Sequence, residues 1–143
     1  MNIKIKQLDK DSIIPSYKSI GASGFDFHSI EELEIMPKSI LPVRTGLAFE
    51  IPLEYEMQIR PRSGLALNHG ISVLNTPGTI DSDYRGEIII ILINFSNKPF
   101  VINKGQRIAQ GVIANVCRVN FEITDILNDT SRGINGFGST GNK

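Results

Sequence analysis

Four glycine-bearing polar clusters carry most of the groups in this chain that could do chemistry. Arg60-Pro-Arg-Ser-Gly64 sets two guanidinium groups and a hydroxyl on a turn entering a short helical stretch. The start of a helix offers free backbone N–H groups and a dipole that favours anions. Asn75-Thr-Pro-Gly-Thr-Ile-Asp-Ser-Asp-Tyr-Arg-Gly86 places Asp81 and Asp83 beside Tyr84 in a pattern that reads as a hairpin. Gly105-Gln-Arg-Ile-Ala-Gln110 opens a strand with polar ends, and Arg132 to Gly141 adds an arginine, the Phe137 ring and a run of glycines and hydroxyls. Taken singly, the second cluster is a turn and the fourth a frayed terminus. Together they supply anion donors, carboxylates for a metal or a water, and rings for a base and a sugar, the inventory of a nucleoside polyphosphate site.

Other chemistries are thinned by what the sequence lacks. It contains no GxxxxGK[ST] phosphate loop, no HExxH metal helix and no GxSxG nucleophile elbow. Gly136-Phe-Gly-Ser-Thr-Gly141 matches GxGxxG, but only Asn142 and Lys143 follow, so no helix can start there as a dinucleotide fingerprint requires. His28 and His69 are too few for a histidine-rich metal cage, and the lone Cys117 closes neither an internal disulfide nor a CxxC zinc site. Fifteen basic residues balance fifteen acidic ones, whereas a general nucleic-acid binder needs a basic excess to displace counterions. Any phosphate site must therefore be local, with Arg60, Arg62, Arg85, Arg107 and Arg132 as candidates and no nucleic-acid partner expected. No apolar run approaches the ~20 residues of a membrane-spanning helix, and the opening MNIKIKQLDKD is polar and alternating, unlike a signal peptide. These features predict a cytoplasmic protein with no membrane partner.

The elements that must position these clusters read as strands. With 143 residues the chain fits one domain, and 23 Ile and 6 Val against 5 Ala suit a pleated surface better than a helical bundle. Ile3 and Ile5 alternate with Lys4 and Lys6, a strand with one wet face. Val43, Thr45, Leu47, Phe49 and Ile51 fall on one face of a second strand, and Tyr55, Met57 and Ile59 on one face of a third. Gly86 to Asn94 is apolar on both faces, which predicts a strand buried on both sides, and Ile108 to Val119 predicts another strand. Glycine and proline punctuate these runs at short intervals, favouring a sandwich or barrel. Ser63 to Gly70 breaks the pattern as a short helix, with Ser63 as N-cap and Gly70 as its stop.

Five segments in order resemble the five motifs of the trimeric dUTP pyrophosphatase (dUTPase) family, and the match spans nearly the whole chain. They are Ala22-Ser-Gly-Phe-Asp-Phe27, Arg60-Pro-Arg-Ser-Gly-Leu-Ala66, Gly78-Thr-Ile-Asp-Ser-Asp-Tyr-Arg-Gly86, Gly105-Gln-Arg-Ile-Ala-Gln110 and Arg132-Gly-Ile-Asn-Gly-Phe-Gly-Ser-Thr-Gly141. Ser23 and the bulky Phe25, Asn68 and Asn135 depart from the family's habit, but none removes a chemical group that the family uses. Asn at 135 also keeps a tolerance for left-handed backbone.

The resemblance implies an all-β, jelly-roll-like barrel or sandwich with one short helix. It implies a homotrimer with shared active sites, in which residues from about 129 to 143 form a mobile tail that completes a neighbour's site. It implies hydrolysis of dUTP to dUMP and pyrophosphate with Mg²⁺ on the triphosphate, a reaction that limits uracil in DNA and supplies dUMP for thymidylate synthesis. On that template Asp81 activates the water, since a carboxylate can accept its proton as the new P–O bond forms. Asp83, two residues on along a strand, points to the same side, and Asp26 faces Mg²⁺ through a water. Arg62, Ser63, Gly64 and Gln110 hold the α- and β-phosphates, while Arg132, Ser139 and Thr140 clamp the γ-phosphate. Asn75 and the backbone at Gly78 and Thr79 read the uracil edges, and Tyr84 packs against the deoxyribose. Phe137, with Gly138 beside it, stacks over the base as a lid. A noncatalytic nucleotide-binding module on the same scaffold is the alternative, though such a binder has no need of a water-activating carboxylate. Related dCTP deaminase chemistry fits less well, because one cysteine cannot build a zinc site.

Overall fold

The computed structural model describes residues 1–136; the expected contacts of Phe137, Gly138, Ser139 and Thr140 lie outside the described residues. In chain order the elements are β1 (Lys4–Gln7), β2 (Phe25–His28), β3 (Leu33–Ile35), β4 (Ile40–Arg44), β5 (Leu47–Glu50), β6 (Tyr55–Arg60), α1 (Ser63–His69), β7 (Ile71–Val73), β8 (Gly78–Ile80), β9 (Ile89–Asn94), β10 (Phe100–Ile102) and β11 (Arg107–Asn115). The strands form antiparallel sheets in the orders β1-β5, β10-β3, β2-β11-β6-β8 and β4-β9-β7, so neighbours in space are mostly distant in sequence, as a jelly-roll topology requires.

Alternating residues from all four sheets meet in one core that includes Phe27, Ile35, Val43, Leu47, Met57, Ile90, Leu92 and Ile102. Phe27 stands at its centre, with Phe25 and Phe49 packed edge-on at centroid distances of 5.7 Å each. Gly111 makes room for these rings, because a Cβ there would lie 2.6 Å from the Phe25 ring and 2.8 Å from that of Phe27. The bulk of Phe25 is thus matched by a missing side chain on the adjacent strand.

Several sequence expectations are corrected by the chain's path. The second strand, read as continuous from Val43 to Ile51, is broken at Gly46, whose φ of +67° only glycine adopts readily. The inward alternation survives the break, since Val43, Thr45, Leu47, Phe49 and Ile51 are all buried. Strand β9 is buried on one face only: Ile90, Leu92 and Asn94 point inward while Ile89 and Ile91 are exposed. The last strand stops at Asn115, short of Val119. Ser63 is not the N-cap of α1; Arg62 holds that position with extended backbone and no capping side-chain bond, and Gly70 closes the helix in the left-handed region as expected.

Candidate active site

The register of the sheet β2-β11-β6-β8 fixes where the motif residues go. Gln110 on β11 lies opposite Asp26 of β2 on one side and Arg60 of β6 on the other, so these three form a row at one end of the sheet. Beyond Arg60 the chain turns into α1 and brings Arg62 over that row. Arg62 Nε donates to Asp26 Oδ1 at 3.1 Å and its Nη1 to the Arg107 carbonyl at 3.3 Å. Arg107 Nη1 donates to Asp26 Oδ2 at 3.0 Å, so one carboxylate is held between two guanidinium groups. Gln110 Nε2 donates to the Pro61 carbonyl at 2.9 Å. Its amide lies so close over Gly24 that a Cβ there would meet Oε1 at 2.5 Å, which explains the glycine in the first motif. Ser63 and Gly64 open α1 beside this cluster, both exposed.

Arg107, a candidate arginine to which the motifs give no role, reaches this cluster through a β-bulge. Strict alternation would put residues 107 and 110 on opposite faces. The register shifts between Arg107, opposite His28, and Ala109, opposite Phe27, so the extra residue Ile108 turns Arg107 to the face that Gln110 occupies. His28 lies opposite Arg107 across this irregularity. It is buried, its Nδ1 finds no hydrogen-bond partner among the described residues, and burial pushes its pKa below the ordinary imidazole value although the Asp26 carboxylate pulls the other way.

The third motif lies elsewhere on the same sheet. Gly78 pairs with Ile59, Thr79 with Gln58 and Ile80 with Met57, so β8 runs away from the Arg60 row and Asp81 follows at the level of Glu56. A Cβ on Gly78 would stand 3.0 Å from the Asn75 amide, so the asparagine lies against that glycine. The segment after Ile80 is no paired hairpin: β8 joins β6, whereas β9 joins β4 and β7 in another sheet. Asp81 and Asp83 therefore sit in a turn, closed by the Tyr84 N–H donating to the Asp81 carbonyl at 3.2 Å, rather than alternating along a strand. Both are exposed, and neither has an ion pair or side-chain hydrogen bond among the described residues. The Tyr84 hydroxyl donates to the Glu87 carbonyl at 3.1 Å, and its ring folds over Gly86, where a Cβ would lie 2.3 Å from the hydroxyl. Asp81 borders two clefts, one of about 180 Å³ with Thr79, Tyr84 and Glu87, the other of about 290 Å³ with Glu56, Asp83 and Arg118.

The two groups are well apart. From the level of Glu56 to Arg60 is about 13 Å along the strands, and from β8 to β2 is three strand spacings, about 14 Å. Arg132 joins neither group. It lies on the exposed stretch after β11, where its Nε donates to the Asn135 carbonyl at 2.9 Å, and Gly133 rather than Asn135 takes the left-handed backbone.

Residues 10–141 match the family model described as dUTPase. This chain belongs to the dUTPase family. Proteins named deoxyuridine 5'-triphosphate nucleotidohydrolase are 58% identical in Nautilia profundicola, over 99% of both chains, and 50% identical in Helicobacter pylori, over 99% of this chain and 97% of that one. The relative in Wolinella succinogenes is 53% identical over 99% of this chain and 95% of its own. The fold is that of solved dUTPases. The dUTPase of Staphylococcus bacteriophage 80alpha, solved with dUpNHpp, superposes with a TM-score of 0.91 at 23% identity, covering 98% of each chain. The dUTPase of phage phi11 of S. aureus gives 0.84 at 18% identity, covering 91% of this chain and 100% of that one.

Proposed function

We propose that the chain hydrolyses dUTP to dUMP and pyrophosphate in the cytoplasm, as a homotrimer whose active sites are shared between chains. The activity is supported by the near-full-length likeness to named dUTP nucleotidohydrolases. The observation that carries the shared site is the separation of Asp81 from the Asp26–Arg62–Arg107 cluster. A base that activates water at the α-phosphorus and the groups that hold the same phosphates must work within a few Å of each other, and hydrogen-bond reach is about 3 Å. One chain holds its two groups too far apart, so a second chain supplies the missing half. The outer face of β4-β9-β7 supports assembly: Ile40, Pro42, Leu74, Ile89 and Ile91 are all exposed, an apolar sheet face without a cover. Three copies of one chain close such contacts by cyclic symmetry.

In this reading the Asp81 carboxylate takes the proton of a water whose oxygen bonds to the α-phosphorus, and the bridging oxygen leaves with pyrophosphate. Asp83 flanks that water. Arg62, Ser63, Gly64 and Gln110 of another chain hold the α- and β-phosphates, so positive charge and N–H donors meet the charge that develops. Asn75 with the Gly78–Thr79 backbone reads the uracil edges, and Tyr84, held by Glu87 and Gly86, fills the space that a 2′-hydroxyl would need. Arg132, Ser139 and Thr140 clamp the γ-phosphate, and Phe137 and Gly138 close over the base. No three His, Cys, Asp or Glu side chains gather as a cage among the described residues, so the chain fits Mg²⁺ that arrives on the triphosphate. When bound, the ion neutralises phosphate charge. A noncatalytic binding module would have no use for the unpaired Asp81.

The test is pyrophosphate release from dUTP beside dCTP, dTTP and UTP, with Mg²⁺ and with EDTA; dUTP alone should turn over, and only with the metal. Mixing Asp81→Asn chains with Arg62→Ala chains under exchange should then restore about a quarter of wild-type activity, because each shared site draws one half from either chain at random. Two inactive proteins that stay inactive when mixed would place both halves of the site in one chain.

A further inference from the structure

The Asp26 carboxylate is the joint of the arginine cluster. Its side chain is 13% exposed, against 26% for Arg62 and 46% for Arg107, so the acid lies innermost and the guanidinium groups lie toward solvent. Each carboxylate oxygen already accepts a charge-assisted bond, at 3.1 Å from Arg62 and 3.0 Å from Arg107. Arg62 is anchored twice, through Nε to Asp26 and through Nη1 to the Arg107 carbonyl, and its Nη2 has no partner among the described residues.

We infer that Asp26 and Arg107 are positioning residues, which together hold the Arg62 guanidinium with its free edge toward the phosphates. The inference rests on the reading of Arg62 as a phosphate-binding group. A free arginine carries rotamer freedom that binding must remove, and the two anchors remove it beforehand. Two guanidinium groups side by side repel each other, and the carboxylate between them offsets that repulsion while leaving a net positive charge for an anion. The bulge at Ile108 is what puts Arg107 in reach, so this pairing is built into β11 and needs no ligand to form.

Calorimetry with inorganic pyrophosphate, in EDTA and again with Mg²⁺, tests the inference on the full chain. Wild type should bind pyrophosphate without metal, and Asp26→Asn and Arg107→Met should each weaken that binding by about tenfold or more. Arg107→Lys should recover part of the loss, and the double variant should bind no more weakly than Asp26→Asn alone, since both changes break one linked unit. Arg107 is half exposed, so its variants answer the question if Asp26→Asn does not fold. Metal-free binding absent in wild type, or additive losses in the double variant, would overturn the inference. So would an Asp26→Asn protein that binds metal-free pyrophosphate normally but needs more Mg²⁺ for half-maximal turnover. A wild-type chain that binds pyrophosphate but releases none from dUTP would instead overturn the functional reading and leave the positioning pair standing.

Discussion

The two ends of the β2-β11-β6-β8 sheet are finished to different degrees. At the end bearing Asp26, the charged groups are paired with one another, Gln110 is tied to Pro61, and Gly24 and Gly111 are shaped to neighbouring side chains. At the Asp81 end two carboxylates stand in solvent without partners among the described residues, and the tyrosine between that turn and β9 is held only by Glu87 and Gly86. The difference separates two tasks. Groups that hold an anion gain from being fixed before it arrives, whereas a base must keep its lone pairs for water and, in the proposed trimer, would receive its surroundings from a second chain.

Substitutions at the open end should therefore cost turnover with little effect on stability. The largest loss is expected for Asp81→Asn, about 10²–10⁴-fold in kcat with unchanged melting and intact binding of a nonhydrolysable dUTP analogue, because the amide keeps the size and loses the basicity. Wild-type turnover in this variant would transfer the role to Asp83. Away from both ends, Arg132→Ala should lower kcat/KM by about ten- to a hundredfold, the worth of a charge-assisted contact to phosphate. Its melting temperature should not move, since the one contact of that side chain among the described residues is within its own loop. A melting shift as large as the kinetic loss would make Arg132 structural. Tyr84→Ala should narrow the ratio of kcat/KM for dUTP over UTP by about tenfold, as the space denied to a 2′-hydroxyl opens. An unchanged ratio would move sugar selection elsewhere.

The smallest effect belongs to the finished end. Burial holds the pKa of His28 below its ordinary value, so in the window beneath about pH 6.5 the unfolded chain binds more protons than the folded one. Stability then rises with pH through that window and is lost as pH falls. Urea midpoints measured between about pH 7.5 and 5 should decline for wild type and decline less for His28→Gln. Parallel curves would show that other groups set the acid limit.

How legible each end was follows from what shapes it. Strand β6 and the stop at Gly70 are legible because side-chain alternation and a left-handed residue are local signals; β1 is a strand as its pattern predicts, but all four of its residues are exposed rather than those of one face. The break at Gly46 is not legible, because alternation of buried residues continues across it and the turn is set by Asp9, Ser12 and Glu87 from other parts of the chain. The motifs assign Arg62 and Gln110 to the phosphates and Asp26 separately to a metal-bound water, and the register brings all three together. Arg107 stands among the candidate arginines without a place, because one extra residue at Ile108 reverses the face that a period of two assigns. Ser63 reads as a cap from its type and position, but the helix begins one residue earlier, with Arg62 drawn toward Asp26. That β9 is apolar on both faces is legible; that one chain covers only one of them is not, because alternation says nothing of what packs against each face.

If the proposed trimer forms through the exposed isoleucines of β9, abundance becomes a control on activity. A chain folds its arginine cluster by itself, and with sites shared between chains the number of working sites would fall faster than the amount of protein on dilution. Specific activity should be constant in a crowded extract and drop steeply once the concentration passes below the assembly constant. Mass action then sets a threshold of synthesis beneath which the cell holds folded but silent chains.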